Sequence, residues 1–141
     1  MRIMAIDYGD AHTGIAVSDP TGLLAGFTTV INAYRPDRVA EQIALLAKEH
    51  GAERLVLGHP INMDGTRGPR SEKAQAMRQL LEETTGLPVV LWDERRTTID
   101  AHQILMSSGK NAKKRKKVVD AVAASLILEG YLTYLKTHPA G

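Results

Sequence analysis

The chain has 141 residues, 43% of them hydrophobic and 24% charged, enough to bury the core of one domain (1–141) and too few for two. It has no cysteine, which excludes a disulfide framework and a thiolate metal site and makes a cytoplasmic setting the expectation. No apolar run is long enough to span a bilayer, so no membrane partner is expected, and the apolar start is broken at Asp7, unlike a signal peptide. The formal charge of +2 is uneven: residues 110–117, KNAKKRKK, hold six of the 18 basic residues and no acid, leaving 12 basic against 16 acidic elsewhere. Such a block is either an electrostatic footprint for phosphates or a solvated loop extended by its own repulsion.

In chain order, residues 2–7 and 13–18 predict β-strands joined by the turn around Gly9 to Gly14, and residues 25–31 a third after Pro20-Thr21-Gly22. The short connections predict an antiparallel meander. Pro36 then opens a helix, PDRVAEQIALLAKEH, with Val39, Ile43, Leu46 and Ala47 on its apolar stripe and Gly51 as its stop. Beyond it the pattern alternates. RLVLG is a short buried strand, residues 71–85 a helix closed by Gly86 and Pro88, VVLWD another buried strand, and residues 97–107 a helix. After the basic loop, a last helix runs from about Val118 to Lys136. The sum is an α/β fold with a mixed five-stranded sheet, three meander strands and then alternating α and β, flanked by helices on both faces. The loop GHPINMDGTRGPR, residues 58–70, directly follows a strand, where open α/β sheets place binding loops.

Three carboxylate positions stand out. Asp7 ends an apolar strand, although desolvating an unpaired carboxylate costs several kcal/mol. Asp93 and Glu94 end a later buried strand; side chains alternate across a strand, so one of the two shares a side with any given partner, and periodicity does not say which. Asp120 opens VVDAVAASLIL, which is apolar on nearly every face and so reads as buried all round; by spacing it shares a helical side with Ala123, Ala124 and Ile127. Each has an ordinary alternative: a strand exit to solvent, with Thr97 or Thr98 capping the next helix, or a carboxylate meeting a helix dipole. Together, carboxylates converging on one spot repel unless a divalent cation holds them, and oxygen-only ligands suit Mg2+ or Mn2+, which couple carboxylates to substrate phosphates.

Four segments, DYGDAHTGIAVSD, GHPINMDGTRG, DERRTT and VDAVAASLIL, in this order over essentially the whole chain, resemble the YqgF (RuvX) family of Holliday-junction-resolvase-like nucleases. The resemblance implies an RNase H-like fold and metal-dependent maturation of the 5′ end of pre-16S rRNA in the bacterial cytoplasm, with ribosomal particles as further partners. By position, Asp7, Glu94 and Asp120 match the family's acidic cluster, as catalytic and metal-holding residues, and Asp93 and Asp64 are left open as neighbours. His12 stands where the family commonly has Arg, and His59 where it commonly has Leu. A titratable imidazole replaces an always-charged phosphate fork at the first of these positions.

On this reading Asp7 anchors the ions, Glu94 and Asp120 complete coordination and orient the attacking water, and a nucleic-acid backbone is gripped by Arg95, Arg96, Lys110, Lys113, Lys114, Arg115, Lys116 and Lys117, with Arg67 and Arg70 beside them. Six aromatic side chains offer little stacking platform, so shape and phosphates should dominate recognition. Alternatives are a resolvase of branched DNA, which would need a homodimer rather than a monomer for paired cuts, and a weakly active ribosome-associated RNA-binding factor. The opening D-x-G also resembles the phosphate loop of actin-like kinases. Those need two such domains, and neither a Walker A motif nor a G-x-G-x-x-G fingerprint is present.

Overall fold

The computed structural model describes residues 1–19, 25–60, 68–93 and 112–138, the side chains of 112–120 excepted. The strands are β1 (Ile3–Asp7), β2 (His12–Ser18), β3 (Ala25–Asn32), β4 (Arg54–His59) and β5 (Val89–Asp93), and the helices α1 (Pro36–His50), α2 (Pro69–Thr85) and α3 (Ala112–Thr137). All five strands form one mixed sheet in the order β3-β2-β1-β4-β5. The meander is antiparallel, with Asp7 opposite Gly14 and His12 opposite Asn32, while β1 pairs with β4, and β4 with β5, in parallel. This is the expected sheet, with strand limits within one residue of those read from the sequence.

Alternation along the strands sorts the core into two layers. Met4, Ile6, Ile15, Val17, Leu55, Leu57 and Val89 face α1 and α2, meeting Val39, Ile43, Ala74, Met77 and Leu81. Ile3, Ala5, Ala16, Val56 and Trp92 face the other way and meet Ala124, Ile127, Leu128, Tyr131 and Leu132 of α3. Ala5, Ala16 and Ala124 are all fully buried here, and their small side chains let α3 lie close on the sheet. Helices therefore cover both faces.

Pro36 and Pro69 occupy first-turn positions, where a missing N–H costs nothing, and Gly51 and Gly86 close α1 and α2 with φ of 67° and 70°. Three sequence expectations need correction. Helix α2 starts at Pro69 rather than residue 71, because Gly68-Pro69 forms its N-terminus instead of ending the loop. Helix α3 starts at Ala112 rather than Val118, so Lys113, Lys114, Arg115, Lys116 and Lys117 belong to a helix and not to a loop. Lys and Arg are strong helix formers, and one turn of helix outweighs their mutual repulsion in water. Third, the segment VVDAVAASLIL is not buried all round: among residues 121–128, Ala124, Ile127 and Leu128 are buried and the other five half-buried, and beyond it Glu129, Thr133 and Lys136 face solvent. The helix expected at residues 97–107 lies outside the described residues.

Candidate active site

Asp7 is half-buried at the C-terminal end of β1, the middle strand of the sheet. Strand alternation puts it on the side of Ile3 and Ala5, the face covered by α3. Its antiparallel neighbour is Gly14, and the next residue of β4 beyond the Ile6–Leu57 pair is Gly58, so neither adjacent strand sets a side chain beside the carboxylate. The spacing in the sequence showed Asp7 and these glycines separately; only the register brings them together.

The same alternation places Asp93 at the end of β5. Trp92 is buried on the α3 face, edge-on to Tyr131 and Tyr134 at 5.8 and 5.7 Å between ring centroids, so Asp93 belongs to the α1/α2 face beside His59, its register partner. Glu94 lies outside the described residues, as do Arg95, Arg96, Lys110, Arg67 and Asp64. Asp120 falls within α3, one turn before Ala124, with its side chain outside the described set. Among the described residues no three His, Asp or Glu side chains gather as a metal-holding group.

The five basic residues at 113–117 lie in the first turns of α3. His12 sits on the α3 face of the same sheet edge, at the start of β2, where its Nδ1–H donates to Asn32 Oδ1 at 2.6 Å. The ring is thereby turned toward β3. His59 is buried on the other face, with Nε2 and the Ser71 Oγ of α2 2.6 Å apart, and Gln75 Nε2 donates to the same Oγ at 3.3 Å. This network fastens the end of β4 to the first turn of α2.

Of a second group at this edge, sequence reasoning named only Arg70. Tyr8, Gly9, Asp10, Gly58, Pro60, Arg70, Lys73 and Ala74 line a cleft of about 150 Å³ on the α2 side. Lys73 Nζ donates to Asp10 Oδ1 at 2.9 Å, and that bond, the Lys73 charge and the more distant Arg70 hold the Asp10 carboxyl below its usual range. Burial, and then the Asp10 charge, push the Tyr8 phenol up, against a smaller opposing pull from Lys73. Asp10 and Lys73 are 63 residues apart, which is why no local motif showed them; the i, i+3 spacing of Arg70 and Lys73 was the one available signal.

The family model described as RuvX: Holliday junction resolvase matches residues 1–134. A relative from Halothermothrix orenii is 43% identical over 134 residues, 95% of this chain and 96% of its own, and one from Bacillus subtilis 44% identical over 137 residues, 96% and 99%; both are provisionally named pre-16S rRNA nuclease. Among solved structures, Thermus thermophilus RuvC in complex with a Holliday junction substrate superposes with a TM-score of 0.63 at 16% identity, covering 95% of this chain and 96% of that one. The Fowlpox virus resolvase bound to its Holliday junction does so with 0.59 at 12% identity, covering 96% and 99%. The fold is thus the RNase H-like one of these resolvases, and the chain, a nuclease that hydrolyses phosphodiester bonds, belongs to the RuvX family.

Proposed function

We propose that this single RNase H-like unit trims the 5′ end of precursor 16S rRNA in the cytoplasm, on ribosomal particles, at an acidic site made by Asp7, Glu94 and Asp120. The observation that carries the site is the placement of Asp7 at the open tip of the central strand, between positions that carry no side chain, on the face covered by α3. Two residues beyond the buried Ala5, Asp7 is displaced along β1 by about 7 Å; one turn before the buried Ala124, Asp120 is displaced along α3 by about 6 Å. The Arg54 guanidinium, at the start of β4, donates to Tyr131 Oη at 2.8 Å and ties the C-terminal half of α3 to the opposite end of the strands. That sense of α3 supports the reading, since it sets the N-terminal half of the helix, which contains Asp120, toward the Asp7 end of the sheet.

An all-oxygen donor set in a chain without cysteine fits a hard cation, and Asp7, Glu94 and Asp120 would hold Mg2+ or Mn2+. When bound, such an ion supplies Lewis acidity toward a phosphoryl oxygen and lowers the pKa of water. The chain's own contribution is positional. Asp7 would anchor the ion at the end of β1, Glu94 and Asp120 would complete its hold and orient the attacking water, and Arg95, Arg96, Arg67, Arg70, Lys110, Lys113, Lys114, Arg115, Lys116 and Lys117 neutralise flanking phosphates. The description of the family favours a second reading, resolution of four-way DNA junctions, for which paired cuts would call for a homodimer.

The test is cleavage of end-labelled pre-16S leader RNA and of a four-way DNA junction, with Mg2+ or Mn2+, by wild type and Asp7→Asn. RNA cutting that disappears in the variant supports the proposal. Symmetric junction cutting moves it to the resolvase reading, and cutting that survives in Asp7→Asn refutes the site.

A further inference from the structure

At the end of β1, consecutive side chains diverge: Asp7 takes the α3 face, and Tyr8 packs against the core of the α1/α2 face. Tyr8 enters the cleft that also receives Asp10, Arg70 and Lys73, and whose remaining wall is made by Gly9, Gly58, Pro60 and Ala74. Two cations face one carboxylate there. Lys73 is occupied by Asp10, in a pair whose side chains are 56% and 83% exposed and therefore cheap to part. Arg70 has neither a hydrogen bond nor an ion pair among the described residues. The cleft thus presents an unused planar donor fork, an exchangeable ammonium and a phenol hydroxyl able to donate.

We propose that this cleft is a phosphate subsite, in which Arg70, Lys73 and the Tyr8 hydroxyl hold a phosphate of the nucleic acid flanking the one being cut, and Asp10 holds Lys73 when the cleft is empty. This rests on the nuclease reading and deepens it: the substrate strand crosses the tip of β1, with the reacting phosphate on the Asp7 side and its neighbour on the Tyr8 side. Asp10 is the internal competitor. Its removal should improve binding, whereas removal of either cation should weaken it.

The experiment is fluorescence anisotropy of labelled leader RNA without divalent metal, with a 5′-hydroxyl or a 5′-phosphate, across a salt series. Arg70→Gln and Lys73→Gln should each raise Kd about three- to tenfold and reduce the slope of log Kd against log salt by about 0.7. Asp10→Asn should lower Kd severalfold. Loss on both RNAs identifies a backbone phosphate as the ligand, and loss confined to the 5′-phosphorylated RNA a terminal one. Wild-type affinity and slope in both cation variants would overturn the subsite, as would Asp10→Asn weakening binding as much as Lys73→Gln, since that marks a structural ion pair. All three side chains are exposed, so melting temperatures should match wild type. The measurement is separable from the parent reading: wild type that cuts no substrate defeats the nuclease proposal while leaving the affinity changes to report on the cleft.

Discussion

Replacing Gly9 with alanine tests how tightly the turn after Asp7 is built. A methyl on Gly9 would lie 2.3 Å from the backbone oxygen of His12, roughly 1 Å inside van der Waals contact. The obstacle is main chain and cannot rotate away, so the β1–β2 turn has to open. Overpacking of this kind costs about 1–3 kcal/mol, which for a chain of this length lowers the melting temperature by about 3–10 °C. Displacement of the segment joining Asp7 to β2 by that amount should also cost about 100-fold in kcat/KM, measured well below the melting transition. Gly51→Ala is the matched control. Gly51 has φ of 67° and nothing near its would-be methyl, and it ends α1 at the opposite edge of the sheet. It should lose about 1 kcal/mol of stability through backbone strain and keep full activity. Wild-type stability and activity in Gly9→Ala, or equal activity loss in Gly51→Ala, would refute the reasoning.

The acidic pair at the end of β5 should separate in the cleavage assay: Glu94→Gln should abolish activity, whereas Asp93→Asn, on the far side of the sheet, should retain it within about threefold. Ser71→Ala removes the buried hydroxyl shared by His59 and Gln75 and should cost about 1–3 kcal/mol in urea unfolding. The Tyr8 phenol should ionise above the usual tyrosine range when followed by absorbance near 295 nm, against Tyr8→Phe as blank. Its raised folded-state pKa carries a sign: the stability of wild type relative to Tyr8→Phe should be constant below the ordinary phenol pKa and fall as pH rises through the folded value.

Strands, meander and α1 were legible in the sequence because period-two and period-3.6 patterns end there on Gly and Pro, whose backbone limits are intrinsic. The start of α3 was not. Residues 113–117 read as a repelling loop by charge, while their helix-forming side chains extend α3 backwards by six residues. Asp7 was legible as a charge out of place on an apolar strand, but its glycine neighbours came from Gly14 pairing across the meander and from β4 joining the other side of β1. The place of Asp93 on the α1/α2 face needed the burial of Trp92, and the Asp10–Lys73 cleft needed the packing of α2. These are tertiary facts, which no local period encodes.

The strand order also governs how the molecule can assemble. β1 is the first strand made and the central one in the finished sheet, but its two partners arrive at very different times: β2 begins at His12, and β4 only at Arg54. A nascent chain can close the meander by local pairing and must then carry the second edge of β1 unpaired until α1 and β4 have emerged. That edge belongs to the strand whose tip bears Asp7, so the Asp7 strand is sealed on its second side only after β4 has emerged. Synthesis from the N-terminus favours this order, and a circular permutant opened between β3 and α1 would have to dock the finished meander onto a preformed β4–β5 pair, a slower and more aggregation-prone route.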